Sequence, residues 1–370
     1  MIDSSLLAPL SNWEQHKICV GVDIGGSGLR IRISNVLNEN EHVDLPHIRA
    51  KSTQDVIDIF ENLEKALAGA MGDFESKGAA LAVAGPIKNN EAVITNWPGE
   101  PSVRTLKIHE FPSKVFPHDR TVLLNDLEAG AYGVVAADEQ KIVGKYFEQM
   151  FKDKSPPGPV VADTRTAVMA LGSGLGVAFI HKRKGAETTV LPAELGHLQV
   201  NAICSQHPDY EIEQKLIQHV SNHYYKGRQC PEYEDFCSGR GIQLNYQFFY
   251  LQETGKLLDF DEIDAGEVAK KAKEGEKAAK EAMTWCYKLL LREARNLAIT
   301  FVCDSIVFAL DNQVRNKWFV DEIETLLKDE FYDYLRPDWI AETRIYTQTE
   351  ILNFNVLGVE LMSRRMATNK

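Results

Sequence analysis

Three groups of residues have the types and spacing that chemistry needs. The first is Asn125-Asp126, which closes the apolar run TVLL ahead of LEAGAYGVVAA. An aspartate there can cap a helix, or it can act as a general base toward an attacking hydroxyl. The second is Asp23, followed by Gly25, Gly26, Ser27 and Gly28 in VGVDIGGSGL. Such a turn makes a bare hairpin, or it brings backbone N–H groups close to a phosphate while the aspartate holds Mg2+ through water. The third is Glu194 with His197 in ELGH. Each hydroxyl of a sugar must be paired, and carboxylates and amides do that best. Glu-x-x-His also serves metal sites in helical bundles, but neither a second copy nor further ligands occur.

These groups need elements to hold them. Ile18–Ile24 and Leu29–Ile33 read as strands paired around the first Gly turn, and Gln54–Met71 carries apolar residues at helical spacing. The runs 79–87 and 120–126 read as buried strands, and 127–137 as a helix rich in small residues. Alternation of this kind indicates an α/β domain. The stretch AVMALGSGLGVAFI (167–180) then repeats the unit of strand, Gly and Ser run, and strand. Two Gly-rich hairpins on separate domains are what a phosphate chain shared between them would need. Between the halves, 151–166 has the prolines and mixed charge of a surface loop. Farther on, 264–295 reads as helix with a solvated charged face, 304–312 as a last buried strand, and Gly358–Met366 as a closing helix.

Composition narrows the partners. A net charge of −12 argues against nucleic acid or an anionic membrane as the main partner. The longest apolar run, 297–310, is too short to span a bilayer and is interrupted by Asp304. The N-terminal residues lack a secretory pattern, so the cytoplasm is the expected location. The six cysteines include no Cys-x-x-Cys pair; Cys204 and His207 could ligate a metal, but free buried thiols are the better reading. No P-loop motif is present, and GSGLG lies between two strands rather than opening a helix, which disfavours a dinucleotide site. A strand, Gly turn and strand carrying an acid suit an ATP-dependent phosphotransferase.

In order along the chain, DIGGSGLR, AGPI, TNW, LLNDLEAGAYGV, LGSGLGVA, LPAELGH and EDFCSGRGI resemble the bacterial-type glucokinases of the hexokinase, Hsp70 and actin superfamily. The versions in unicellular eukaryotes are the most similar. The Cys-rich zinc motif of the ROK sugar kinases is absent after ELGH. The resemblance implies an α/β, two-domain ribonuclease H-like/actin-like ATPase fold with an interdomain cleft. The small domain would comprise 17–135 with 355–370, and the large one 136–354. It implies transfer from Mg-ATP to D-glucose, with Asp126 as base and Asn125, Asp126, Glu194, His197 and Glu234 on the sugar. Asn96 would lie near the sugar or serve only as a turn residue. The phosphates would meet Gly25, Gly26, Ser27, Gly172, Ser173, Gly174 and Gly176, and the adenine Gly239 and Gly241. Asp23 would hold Mg2+ through water. A homodimer is the assembly the family suggests. A kinase for another hexose, a sugar sensor without catalysis, and a structural ATPase are the rival readings. One departure falls at FALDNQ (308–313), where the family carries a Gly-rich turn and contacts adenine.

Overall fold

The computed structural model describes residues 2–201 and 203–368. They form two compact units: one runs to Lys141 and is completed by the chain from Asn353 onward, and the other is Ile142–Leu352.

The first unit is built on a five-stranded sheet. Its strands are β1 (Lys17–Gly25), β2 (Gly28–Asn35), β3 (His42–Asp44), β4 (Glu75–Val83) and β5 (Thr121–Asn125), in the spatial order β3-β2-β1-β4-β5. β1, β2 and β3 pair antiparallel, while β4 and β5 join in parallel. The parallel step from β1 to β4 needs a crossover, and helix α1 (Thr53–Met71) supplies it. Ser52 caps that helix through Asp55 N–H, and Val56, Phe60, Leu63 and Leu67 form its buried stripe.

Strand parity explains why an aspartate ends β1. Ile18, Val20, Val22 and Ile24 enter the apolar core with Phe60. The alternate residues, Cys19, Gly21 and Asp23, face the C-terminal helix. That face is lined with small residues, so the helix packs against bare backbone. Helix α2 (Asp126–Glu139) meets the same C-terminal helix, Phe354–Thr368, at equally close range. A Cβ on Gly133 would collide with Phe354 O, and one on Gly358 with Ala129 O. The C-terminal helix also brings in a buried carboxylate, Glu360. Burial alone would raise its pKa, but hydrogen bonds from Arg32 and Ser34, both at 2.8 Å, bring it below the usual range.

The second unit repeats the arrangement. Its strands are β6 (Phe147–Met150), β7 (Arg165–Leu171), β8 (Leu175–His181), β9 (Thr189–Ala193), β10 (Ser305–Ala309) and β11 (Arg344–Gln348), in the order β9-β8-β7-β10-β11-β6. Again a Gly hairpin, β7–β8, pairs antiparallel with a third strand on one side and parallel with two strands on the other. The repeated strand–Gly–strand unit is therefore a repeat of sheet topology. The long helix α3 (Lys277–Phe301) fills the core of this unit with Met283, Trp285, Leu289 and Leu290.

Three expectations change. The strand 304–312 is shorter and is not the last, because β11 follows it and is almost wholly buried. The segment 151–166 is irregular, but Phe151, Ser155, Val160, Val161 and Ala162 are buried, and Gly158 O accepts Tyr346 Oη–H at 2.7 Å. The loop is pinned to the sheet. All six cysteines are free thiols, yet Cys204 and Cys230 are exposed. No cluster of three or more His, Cys, Asp or Glu side chains that could hold a metal ion occurs among the described residues, and no helix there is long and apolar enough to cross a membrane.

Candidate active site

In the first unit the hairpin turn between β1 and β2 is held from several sides. Gly28 has φ +144° and sits so close to Ile48 that a Cβ would strike its carbonyl oxygen, so only glycine fits. Gly25 has neither constraint: φ is ordinary and no atom lies within 4 Å of where a Cβ would be. A Cβ on Gly26 would touch only Asn96 Cβ, at 3.2 Å. The exposed Ser27 hydroxyl lies 3.2 Å from His47 Nε2, and Trp97 Nε1–H donates to Gly25 O at 3.2 Å. Asn96 and Trp97 are thus placed at the Gly turn.

Asp23 is buried, and the sequence did not reveal its partners. Asn355 Nδ2 donates to Oδ1 at 3.2 Å; Asn353 Nδ2 and Arg30 donate to Oδ2 at 3.4 and 3.5 Å. A carboxylate has about four lone-pair sites, and three are engaged. That set fits a water of a hydrated Mg2+ better than the bare ion, which prefers octahedral oxygen ligation and keeps several waters.

At the end of β5, Asn125 and Asp126 divide the work that the sequence left to Asp126 alone. Asn125 is the N-cap of α2: its Oδ1 accepts Leu127 N–H at 3.0 Å, and Glu128 completes a capping box at 3.4 Å. Asp126 is the first residue of the helix and is half-buried, with Oδ1 3.0 Å from Leu127 N. The cap reading therefore belongs to Asn125. Asp126 sits where the free N–H groups of the helix start favour an anionic side chain.

In the second unit, ELGH is a single 3-10 turn, Leu195–His197, rather than a longer helix. Glu194 and His197 are both exposed, with His197 Nε2 3.9 Å from Glu194. His197 Nδ1 pairs with Glu232 at 2.6 Å, a residue that was not singled out. Its signal was present, two positions before Glu234 in PEYEDF, but spacing alone does not choose between the two. The hydrogen bond to Glu232 is the chief reason that the His197 pKa lies above its ordinary 6.5, with Glu234 and Glu194 adding to it against some burial. A raised folded-state value means that the pairing stabilises fully below pH 6.5 and fades as pH rises through the raised value. Glu232→Gln should lower the His197 pKa toward 6.5, read from the imidazole carbon-bound protons by NMR; an unchanged titration would count against the pairing.

Glu234 is half-buried beside the second Gly turn. Its Oε2 accepts Leu175 N–H at 3.0 Å, and Arg240 reaches Oε1 at 3.1 Å. The turn itself is knit to the next helix. Gly172 N–H donates to Gly174 O at 2.8 Å, and Gly239 N–H donates to Gly172 O at 2.9 Å. Ser173, at the tip of the turn, is exposed, and Gly176 lies in the ladder opposite Ala170. Ser238 caps the helix Gly239–Thr254 through Gly241 N–H, and a Cβ on Gly241 would collide with Phe236, so Gly241 is required by packing. Gly172 and Gly239 are not: their nearest atoms to a Cβ lie at 3.8 and 3.7 Å.

The departure at 308–313 closes on this same turn. Asn312 Nδ2 donates to Leu171 O at 3.1 Å, and Leu310 N–H donates to Gln348 Oε1 at 2.8 Å. Leu310 holds φ 86° and ψ 162°, a region that only glycine occupies without strain. Leu310→Gly is accordingly expected to be more stable than Leu310→Ala by about 1 kcal/mol or more. Chemical denaturation of the two variants checks this, and equal midpoints would refute the strain.

Taken together, each unit carries a Gly hairpin with one open glycine, Gly25 in the first and Gly172 in the second, while a Cβ on Gly174 would strike the Glu234 carboxylate. One unit adds a carboxylate at a helix start; the other adds an imidazole among carboxylates. Comparisons with known proteins agree with that chemistry. A family model described as Glucokinase matches residues 20–309. "Probable glucokinase 2" of Trichomonas vaginalis is 48% identical over 99% of both chains. The crystal structure of a Balamuthia mandrillaris glucokinase in complex with glucose is 30% identical, with a TM-score of 0.86 over 98% of this chain and 100% of that one. A ROK family glucokinase of Streptomyces griseus, solved with glucose and AMPPNP, is 17% identical over 94% of this chain and 99% of that one at a TM-score of 0.57, and shares the actin-like ATPase fold. The chain belongs to the glucokinase family, in its bacterial-type branch.

Proposed function

We propose that this glucokinase-family enzyme moves the γ-phosphoryl group of Mg-ATP to the 6-hydroxyl of D-glucose, with Asp126 taking the hydroxyl proton. The observation that carries the role of Asp126 is its place as the half-buried first residue of α2, directly after β5 and beside the cap residue Asn125. The bond from O6 to phosphorus forms as the bond from phosphorus to the bridging oxygen of ADP breaks. The proton from O6 passes to Asp126 and then to solvent. A general base supplies about 10²–10⁴-fold, so positioning and charge neutralisation must supply most of the acceleration.

Asn125, Glu194, His197 and Glu234 are assigned to the sugar hydroxyls, and Glu232 to holding His197. Beside its bonds to Leu175 and Arg240, Glu234 keeps lone pairs for a hydroxyl. Gly25, Gly26 and Ser27 in one unit, and Gly172, Ser173 and Gly174 in the other, are assigned to the phosphates. Gly239 has the room that a nucleotide beside it would need. Asp23 would orient Mg2+ through water, and the ion would neutralise charge on the transferring phosphate. A homodimer in the cytoplasm is part of the same reading.

The test is ADP formation from Mg-ATP alone and with glucose, mannose, fructose or N-acetylglucosamine. Turnover only with glucose supports the reading. Equal or better turnover with another sugar moves the substrate to that sugar, and sugar-independent turnover points to an ATPase.

A further inference from the structure

Glu232 and Glu234 flank Tyr233, and their placement depends on how Tyr233 is held. Its ring is 1% exposed. The chain around it pairs with the chain that follows His197. Gln199 and Glu232 form an antiparallel bridge, Tyr233 N–H donates to Leu198 O at 2.9 Å, and Val200 N–H donates to Pro231 O at 3.0 Å. His197 and the two glutamates therefore ride on one small two-stranded patch.

Beneath the patch lies α3. Asn296 Nδ2 donates to Tyr233 Oη at 3.0 Å and to Glu293 Oε2 at 3.1 Å. Asn201 N–H donates to the same Oη at 3.4 Å, and Asn201 O accepts from Arg292 at 3.4 Å. One phenol oxygen thus joins both segments of the patch to the long helix. Glu293 is fully buried, and its Oε1 has no partner among the described residues, so Asn296 is its one source of hydrogen bonding there. That demand fixes which way the Asn296 amide faces.

We propose that Tyr233, through the bonds its Oη accepts from Asn296 and Asn201, is a positioning residue that sets the register of His197 against Glu232 and Glu234 and thereby the affinity for the sugar. The inference rests on the assignment of those residues to glucose. Tyr233 touches no reacting atom, so its loss should appear in sugar binding rather than in chemistry.

Tyr233→Phe keeps the buried ring and deletes only the oxygen. A lost buried hydrogen bond of this kind corresponds to about a fivefold change. KM for glucose should rise by about that factor or more, while kcat and KM for ATP stay within about twofold. Asn296→Leu combined with Glu293→Leu, which leaves no buried carboxylate unpaired, should reproduce the split, and adding Tyr233→Phe should raise KM for glucose little further, because both act on one network. A lowered Tm with an unchanged KM for glucose would overturn the proposal, leaving Tyr233 a purely structural residue. Calorimetric glucose binding by wild type and Tyr233→Phe keeps the question separate from turnover. If the enzyme consumed no ATP with glucose, the catalytic reading would fail, yet weaker glucose binding in the variant would still support the positioning role and equal binding would overturn it.

Discussion

Asp126→Asn is expected to lower kcat by about 10²–10⁴-fold while glucose still binds within a few-fold of wild type. The amide keeps the size and polarity of the side chain but cannot take the proton of the 6-hydroxyl. The fold should change by about 1 kcal/mol or less, because the amide keeps an Oδ1 for Leu127 N–H and only the charge at the start of α2 is lost. Steady-state kinetics, glucose calorimetry and a thermal melt on the same preparation separate the possibilities. Loss of glucose binding alongside kcat would make Asp126 a binding residue, and a large loss of Tm would make it a structural one.

The largest expected effect on stability lies elsewhere, at Arg292. Its guanidinium is 2% exposed and makes a two-pronged pair with Glu213, both bonds at 2.9 Å, while Nε donates to Glu330 at 2.9 Å. Glu213 is fully buried, and Lys288 bonds Asp209 and lies near Glu330 at the margin of the cluster. Arg292→Ala strands a carboxylate in the interior of the second unit and should cost about 3–5 kcal/mol. Replacing both partners, as in Arg292→Met with Glu213→Leu, should recover much of that loss, since apolar packing can substitute for a buried pair. Urea midpoints for the single and double variants test the point. A double variant as unstable as Arg292→Ala would show that the pair itself, and not an uncompensated charge, is what the fold requires. Arg292 also donates to Asn201 O, so the residue joins the interior of this unit to the two-stranded patch that carries His197.

Much of this architecture was written locally. The hairpins around Gly26 and Ser173 were legible because apolar alternation and glycine clustering act over a few residues, and the helix Thr53–Met71 because its apolar stripe repeats every turn. What was hidden depends on partners far apart in the chain. Asp23 looked like a lone acid at the end of a strand. Its amide partners Asn353 and Asn355 come from 330 and 332 residues away, just before and on the first turn of a helix whose packing face is chosen by Gly21 and Gly78. The pairing of His197 with Glu232 rather than Glu234 is settled by the bridge at Gln199, which no local spacing encodes. Leu310 was noticed only as an absent glycine; its left-handed backbone follows from bonds to Gln348 and from the helical turn that begins at Asp311. The strand Arg344–Gln348 was missed because RIYTQ is short and half polar, although Thr347 and Gln348 are buried and bonded to Gln313, Leu310 and Glu350.

The central claim is that phosphoryl transfer goes to the 6-hydroxyl with Asp126 as its proton acceptor. The most direct measurement compares ADP release with sugar phosphate formed, using glucose and 6-deoxyglucose side by side. The account predicts one glucose 6-phosphate for each ADP with glucose, and no ADP above background with 6-deoxyglucose although it binds. ADP released with 6-deoxyglucose, or phosphate found at another position of glucose, would contradict it.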